Sequence, residues 1–71
     1  MTLEEAKKKY PDAKELRENA QAVITVDVAR EMIYGKDVQA KCLFNRSIPS
    51  TRKVTHYFIF SQQALEQEVA A

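Results

Sequence analysis

The sequence ITVDVAREMIYG at residues 24–35 decides how the rest of the chain is interpreted. Thr25 is a favourable N-cap residue for a helix over residues 26–34. That helix would have one apolar stripe, formed by Ala29, Met32 and Ile33. Gly35, the only glycine of the chain, stands where the helix should end, because glycine readily adopts the left-handed conformation of a C-terminal cap. The pattern predicts a capped helix followed by a tight turn.

A second helix is predicted directly after this turn, over residues 37–46. Ala40, Leu43 and Phe44 recur at spacings of three and four residues, which is typical of one helix face. Strand propensity is also appreciable in this segment. Pro49 marks the end of the element, because proline disfavours the helical conformation in the residue before it. Two helices joined by a short glycine turn form a helix-turn-helix motif.

Two short strands are predicted at residues 52–54 and 57–60, with Thr55 and His56 at the turn between them. Ser61 is a favourable N-cap for a last helix over residues 62–70. The order helix, turn, helix, hairpin, helix predicts a mainly helical α+β fold of the winged helix-turn-helix type, in which the hairpin is the wing.

Residues 1–23 are predicted to be a helical extension of this core. Thr2 can cap a first helix over residues 2–9, with acidic residues in its first turn. Proline is well tolerated at the first position of a helix, so Pro11 predicts a second helix over residues 11–20. The following segment, QAVIT at residues 21–25, favours an extended conformation.

The composition indicates one small domain over residues 1–71, with 45% hydrophobic and 30% charged residues. We expect a soluble cytoplasmic protein, because no run of about 18 apolar residues is present and the N-terminus lacks the apolar region of a signal peptide. One cysteine and one histidine cannot supply a zinc site, and no glycine-rich phosphate loop occurs. We therefore expect a binding protein without enzymatic activity, cofactor, metal or small-molecule ligand.

The charges are unevenly distributed along the chain. Residues 30–53 contain six basic and two acidic residues, whereas residues 1–29 and 54–71 are each net acidic. A basic centre between acidic ends is typical of a protein with one nucleic-acid-binding face. Chance clustering on a solvated surface would give the same pattern.

Three segments occur in the order found in a known group of DNA-binding proteins. They are ITVDVAREMI at residues 24–33, NRSIP at 45–49, and VTHYFIFS at 54–61 followed by ALE at 64–66. In this order the chain resembles excisionases, AlpA-type regulators and the DNA-binding domains of MerR-type proteins. The similarity covers residues 24–70, and residues 1–23 have no counterpart in it.

The resemblance implies a sequence-specific protein for double-stranded DNA. An excisionase (a recombination directionality factor) bends attachment-site DNA and directs a tyrosine integrase toward excision, so such an integrase would be a second partner. A small AlpA-type transcription regulator, or a phage or mobile-element protein that inhibits a host protein, remains an alternative. A single recognition helix reads few base pairs, so we expect dimers or cooperative self-association on DNA.

The candidate DNA-binding residues fall into two groups. If the apolar residues of the predicted helix 37–46 face inward, its outward arc would read base edges in the major groove with Val38, Gln39, Lys41, Cys42, Asn45 and Arg46. Contacts to phosphates from the wing and the helix ends are expected from Thr25, Arg30, Lys36, Arg52, Lys53 and His56. At a wing tip His56 would strengthen DNA binding at lower pH, because nearby phosphates favour its protonated form. For Thr25 an ordinary capping role is the stronger interpretation.

Overall fold

The computed structural model describes the backbone of residues 2–70 and the side chains of residues 2–67, so Met1 and Ala71, the ends of the predicted domain, lie outside the described residues. The elements follow in the order α1 Leu3–Lys9, β1 Lys14–Ala20, α2 Val26–Tyr34, β2 Lys41–Pro49, β3 Val54–Ser61 and α3 Gln62–Ala70. The predicted α+β class is confirmed at the level of three helices and a three-stranded antiparallel sheet.

The strands are arranged in the order β1-β3-β2, so β3 is the central strand. β1 pairs with β3 over its full length, from Lys14 opposite Phe60 to Ala20 opposite Val54. β2 and β3 form a hairpin whose register shifts between Cys42 and Phe44, as at a β-bulge. The hairpin turn spans residues 50–53 and is closed by a hydrogen bond from the Ser50 N–H to the Lys53 carbonyl, 2.8 Å long.

One face of the sheet is covered by α2. Alternate residues of β3 point to this face, and Phe58 and Phe60 pack there against Ala29 of α2. The two phenyl rings are stacked with centroids 6.0 Å apart, and the His56 ring continues the stack 5.7 Å from Phe58. All three rings are fully buried, which makes this row the larger part of the core.

The other face of the sheet is covered by α1 over only part of its length. Ile59 of β3 packs there against Ala6 of α1 and Ala13, with Phe44 and Tyr57 at the border of the cluster. Towards the hairpin turn the cover ends, and Thr55 of β3 is exposed. The central strand is therefore covered along His56, Phe58 and Phe60 on the α2 side, whereas its other side is covered at one end only.

The predicted helix boundaries around α2 are confirmed. The Thr25 side chain accepts a hydrogen bond from the Val28 N–H, and Gly35 ends the helix with a φ of 94°. This left-handed backbone is the conformation for which glycine is favoured. At α1 the predicted Thr2 cap is present and forms a reciprocal capping box with Glu5.

The last helix is anchored by a partly buried polar network between Asp12, Ser61 and the first turn of α3. The Ser61 hydroxyl caps it by accepting from the Ala64 N–H, and donates at 2.6 Å to the Asp12 carboxylate. The other Asp12 oxygen accepts from the Gln63 N–H at 2.9 Å. Burial alone would raise the pKa of the Asp12 carboxyl, but the hydrogen bonds from Ser61 and from backbone N–H groups of α3 hold it below its usual value.

The helix predicted over residues 11–20 is wrong. Residues 11 and 12 form a turn, and the chain then continues as β1. As a strand, it places Leu16 opposite Phe58 of β3, in the α2-covered core. Pairing with β3 outweighs the local helical preference, because it gives hydrogen-bond partners to the backbone N–H and C=O groups of this segment and at the same time buries the Leu16 side chain.

The recognition helix predicted over residues 37–46 is also wrong. Residues 36–40 are turn and irregular structure, and β2 begins at Lys41. In a strand Cys42 reaches the core beneath α2, whereas Phe44 reaches the core beneath α1. A single helix face could not fill both cores, so the strand buries more of this segment.

The wing was predicted with the wrong strands and the wrong turn. Residues 54–61 form one continuous strand, in which Thr55 and His56 are interior positions rather than a turn. β3 is paired with a strand on each edge, and its apolar residues 58–60 are buried because α2 covers one face and α1 part of the other. The strand that pairs with β3 in the hairpin is β2, which precedes it in the chain. The hairpin turn at residues 50–53 therefore lies about four residues before the turn that the sequence predicted.

Candidate nucleic-acid interface

The uncovered end of the sheet presents a regular array of side chains to solvent. The strand register places two rows of three residues on this face, across β1, β3 and β2. The row nearer to α1 is Arg17, Tyr57 and Arg46, and the row nearer to the hairpin turn is Asn19, Thr55 and Ile48. We call these six residues the open sheet face.

The Tyr57 ring lies at the centre of the first row and is held on two sides. Its hydroxyl donates a hydrogen bond of 2.9 Å to Glu15, and the Arg17 guanidinium lies 5.1 Å from its centroid. Phe44 meets the ring edge-on with centroids 5.5 Å apart. Burial raises the pKa of the Tyr57 hydroxyl above its usual value, and the neighbouring Glu15 raises it further. Tyr57 therefore remains a neutral hydrogen-bond donor.

Arg17 is positioned but remains accessible. Its Nε lies 2.8 Å from a Glu15 carboxylate oxygen, while 73% of its side chain is exposed. Glu15 thus orients the guanidinium over Tyr57 and leaves its outer edge towards solvent. Arg46, on the opposite edge of the same row, is exposed. An arginine therefore stands at each end of this row.

A groove of about 840 Å³ separates the open sheet face from the first turn of α1. Leu3, Glu4 and Glu5 of α1 form one wall, and the two arginines with Ile48 and Thr55 lie on the sheet side. Glu4, Glu5 and Glu15 make this groove acidic, so by charge alone an anion is favoured towards the hairpin turn rather than within the groove.

The hairpin turn adds two cations beyond the second row. Arg52 and Lys53 are both exposed there. Residues 17–20 and 45–57 together make up this end of the sheet, and they contain four basic residues and one acidic residue. This end is therefore the more basic part of the sheet.

The residues predicted for a recognition helix are dispersed by the strand. Arg46 lies on the open sheet face, whereas Asn45 is exposed on the opposite face. Cys42 points into the α2-covered core, where its thiol donates to the Phe44 carbonyl and burial raises the thiol pKa. Lys41 begins β2 beside α3, and Val38 and Gln39 lie in the irregular segment before it.

The prediction for His56 is wrong, because this ring is fully buried rather than at a wing tip. Its Nε2 accepts a hydrogen bond of 3.1 Å from the Ile24 N–H, so the ring hydrogen lies on Nδ1, 3.0 Å from the Ser47 hydroxyl. His56 therefore holds the backbone at Ile24 against the sheet, and its buried ring is not available to a ligand at the surface.

The remaining predicted phosphate contacts lie around α2, on the other side of the sheet. Thr25 caps this helix. Arg30 is half-buried and bonded to Asp27 at 3.3 Å and to Gln39 at 3.5 Å. Lys36 is exposed in the turn after α2. None of the three lies on the open sheet face, which retains only Arg46 of the predicted residues, with Arg52 and Lys53 beside it.

Several residues of the open sheet face were missed from the sequence. Arg17 and Asn19 were assigned to a helix, and Ile48 and Thr55 were not considered as exposed strand positions. The available signal was a spacing of two residues. In a strand, successive side chains point to opposite faces, so Arg17 and Asn19 share one face while Leu16 and Glu18 share the other.

Comparison of the chain with known protein families, curated proteins and solved structures found no match. None of the helices within residues 2–70 combines the length and the apolar character that a membrane span requires. In the described part of the chain, no three His, Cys, Asp or Glu side chains come together as metal ligands would.

Proposed function

We propose that this chain is a DNA-binding protein that places its open sheet face and hairpin turn in the major groove of a duplex. The observation that carries the proposal is the two-by-three array of solvent-facing side chains on a part of the sheet that no helix covers. A binding protein of this kind performs no catalysis and needs no cofactor.

The dimensions of the sheet support this mode of binding. Three strands at a spacing of about 4.8 Å are about 10 Å wide between the outer backbones. The major groove of B-DNA is about 12 Å wide, and β-sheets are among the elements known to read grooves. The flat array can thus enter the groove with its outer strands facing the two phosphate backbones.

The side chains of the array have the chemistry of base recognition. Arginine pairs with guanine and asparagine with adenine, and a threonine or isoleucine methyl group can contact the thymine methyl. Arg17, Arg46 and Asn19 are the candidate readers in this scheme. Asn19 at present accepts a hydrogen bond of 2.9 Å from Thr55, so it is held in a defined orientation.

The hairpin turn supplies phosphate contacts. Arg52 and Lys53 extend beyond the array, where the edge of the groove would lie. Contacts of this type position the protein and make its affinity dependent on salt concentration. They replace the wing contacts that the sequence predicted at His56.

Within the α+β class, the sequence predicted specifically a winged helix-turn-helix. α2 and a hairpin are present as in that motif, but β2 occupies the place of its second helix. We therefore assign base recognition to the sheet rather than to a helix. A role as an excisionase that acts with a tyrosine integrase, or as an AlpA-type regulator, rests on the sequence resemblance alone. Either role would place the protein in the cytoplasm of a bacterial cell.

The proposal is tested by the affinity for a labelled random-sequence duplex, measured by fluorescence anisotropy at two salt concentrations. The double variant Arg46→Ala/Arg52→Ala should bind about tenfold more weakly or worse, because it removes a candidate base reader and a phosphate contact. Its salt dependence should fall by about one unit of slope, since Arg52 is the phosphate contact of the two. Lys7→Ala/Lys8→Ala is the matched control, because it removes the same charge from the exposed end of α1. This control should retain most of the affinity.

Equal losses in the two double variants would mean that only the total charge matters, and the open sheet face would be rejected as the site. Stronger binding to a single strand of the same sequence than to the duplex would also contradict groove insertion. Selection from a random duplex pool then tests base recognition: Asn19→Ala should change the selected motif rather than the overall affinity.

A second candidate function is a protein-binding module, as the sequence analysis left open. The observation that favours it is a set of exposed apolar side chains around α2: Val23 is 71% exposed, Val28 46% and Met32 48%. Absence of any duplex binding by the unmodified chain would favour this alternative.

A further inference from the structure

β1 forms an unpaired edge of the sheet. Its inner edge is bonded to β3, whereas the strand order leaves its outer edge without a neighbouring strand in the described part of the chain. Such an edge presents unpaired N–H and C=O groups that can pair with another strand. The residues along it decide which strand is accepted.

The charges along β1 form a pattern that is complementary to itself. Residues 14–18 read Lys-Glu-Leu-Arg-Glu, so two charges of opposite sign stand on each side of Leu16. In an antiparallel pair of two such strands centred on Leu16, Lys14 lies opposite Glu18 of the second copy. In the same pair, Glu15 lies opposite Arg17. Each of these contacts occurs twice, because the arrangement has twofold symmetry.

Among the registers centred on one of residues 14–18, only this one avoids like charges in direct opposition. A centre at residue 15, 17 or 18 would place Glu15, Arg17 or Glu18 opposite its own copy. Opposite charges directly across a pair of strands are stabilising and like charges are destabilising. The centre at Leu16 also brings two half-buried leucine side chains together.

We propose that β1 is a self-association edge, at which two copies of this chain join their sheets in an antiparallel pairing centred on Leu16. The result is a continuous six-stranded sheet of order β2-β3-β1-β1-β3-β2. The twofold axis is perpendicular to the sheet, so both α2 helices lie on one side and both open sheet faces on the other. The pairing does not rest on the proposed DNA binding, although Arg17 takes part in both.

A charge exchange between two variants tests this register. Lys14→Glu places two glutamates opposite each other in its own dimer, and Glu18→Lys places two lysines opposite each other. Mixing the two variants restores two opposite-charge contacts in the mixed pair. Lys14 is exposed and Glu18 half-buried on the face opposite to the open sheet face, so neither change touches the proposed DNA-contacting residues.

Sedimentation velocity over a concentration series up to the millimolar range is the measurement. The unmodified chain should self-associate, each variant alone should dissociate at least tenfold more readily, and an equimolar mixture should recover the association. Circular dichroism of each variant checks that the fold is retained. Lys8→Glu is the control for a change of net charge away from the edge, and it should associate as the unmodified chain does.

Three outcomes would overturn the proposal: a chain that remains monomeric over the whole series, association that neither variant weakens, or a mixture that behaves as the two variants do separately. Association that neither variant weakens would indicate an interface at β2 or α2 instead. DNA binding by the monomeric variants would leave the proposed function intact, because their open sheet faces are unaltered.

Discussion

The two faces of the sheet differ although they share the same central strand. On the face beneath α2, the side chains of His56, Phe58 and Phe60 are all fully buried. On the other face, Ile59 is fully buried, Tyr57 is half-buried and Thr55 is exposed. Burial along β3 therefore depends on what lies above each face, since the backbone pairing is the same for both.

The lengths of the covering segments explain the difference. β3 has eight residues and is about 27 Å long, whereas the seven residues of α1 form a helix of about 10 Å. α2 is only two residues longer, but the segment at residues 22–24 extends its cover to His56. No described segment does the same for Thr55. The presence of a few residues of extended chain over His56, and their absence over Thr55, thus makes the difference between a closed core and a surface available for binding.

The largest effect on the free energy of unfolding should be a difference between two neighbouring positions of β3, Phe58 and Tyr57. Phe58→Ala removes a fully buried ring and should lower the free energy of unfolding by about 3–5 kcal/mol, which is most of the stability of so small a domain. Tyr57→Ala, at a half-buried position of the open sheet face, should cost about 1 kcal/mol. Urea unfolding followed by circular dichroism measures both. Equal losses would mean that the two faces are equally important for stability.

A smaller effect is expected for two hydroxyl groups on opposite faces. Ser47→Ala leaves the buried His56 Nδ1–H without its partner and should cost about 1–3 kcal/mol. Thr55→Ala removes an exposed hydrogen bond to Asn19 and should change the free energy of unfolding by less than about 0.5 kcal/mol. The same unfolding measurement applies. A larger loss for Thr55→Ala would show that the open sheet face is under structural rather than functional constraint.

The smallest effect concerns α3, whose N-terminus is fixed by Asp12. Because the hydrogen bonds hold the folded-state pKa of Asp12 below its usual value of 3.8, their stabilisation is present above that value and is lost as the pH falls through the folded-state pKa. For this partly exposed group we expect less than about 1 kcal/mol. Unfolding measured between about pH 5 and about pH 2 should show a weaker pH dependence in Asp12→Asn than in Asp37→Asn, an exposed control. Identical profiles would assign the acid sensitivity to other carboxylates.

Local signals made part of this fold predictable. Thr25 and Gly35 act through hydrogen bonds and backbone angles within one helix, so the sequence around them was sufficient to place α2. Residues 11–20 and 37–46 were assigned to helices because their helical spacing was considered without a partner strand. Leu16 and Phe44 become strand residues only when β3, far along the chain, pairs with them.

The candidate site was predictable only where charge alone identified it. Arg46, Arg52 and Lys53 were selected as basic residues, although they were assigned to the wrong elements. Arg17 and Asn19 were missed, because their position beside Tyr57 depends on the register between β1 and β3. A register between strands about 40 residues apart is a tertiary property and has no signal in either segment by itself.

The position of β3 has a consequence for biosynthesis. It is the central strand of the sheet and, within the described residues, the last strand in chain order, so neither β1 nor β2 has its pairing partner until residues 54–61 have been made. At about 5–20 residues per second, β1 is complete for a few seconds before its pairing partner exists. The sheet therefore forms only after almost the whole described chain has been made, and a nascent chain stalled before Val54 would contain helices at most.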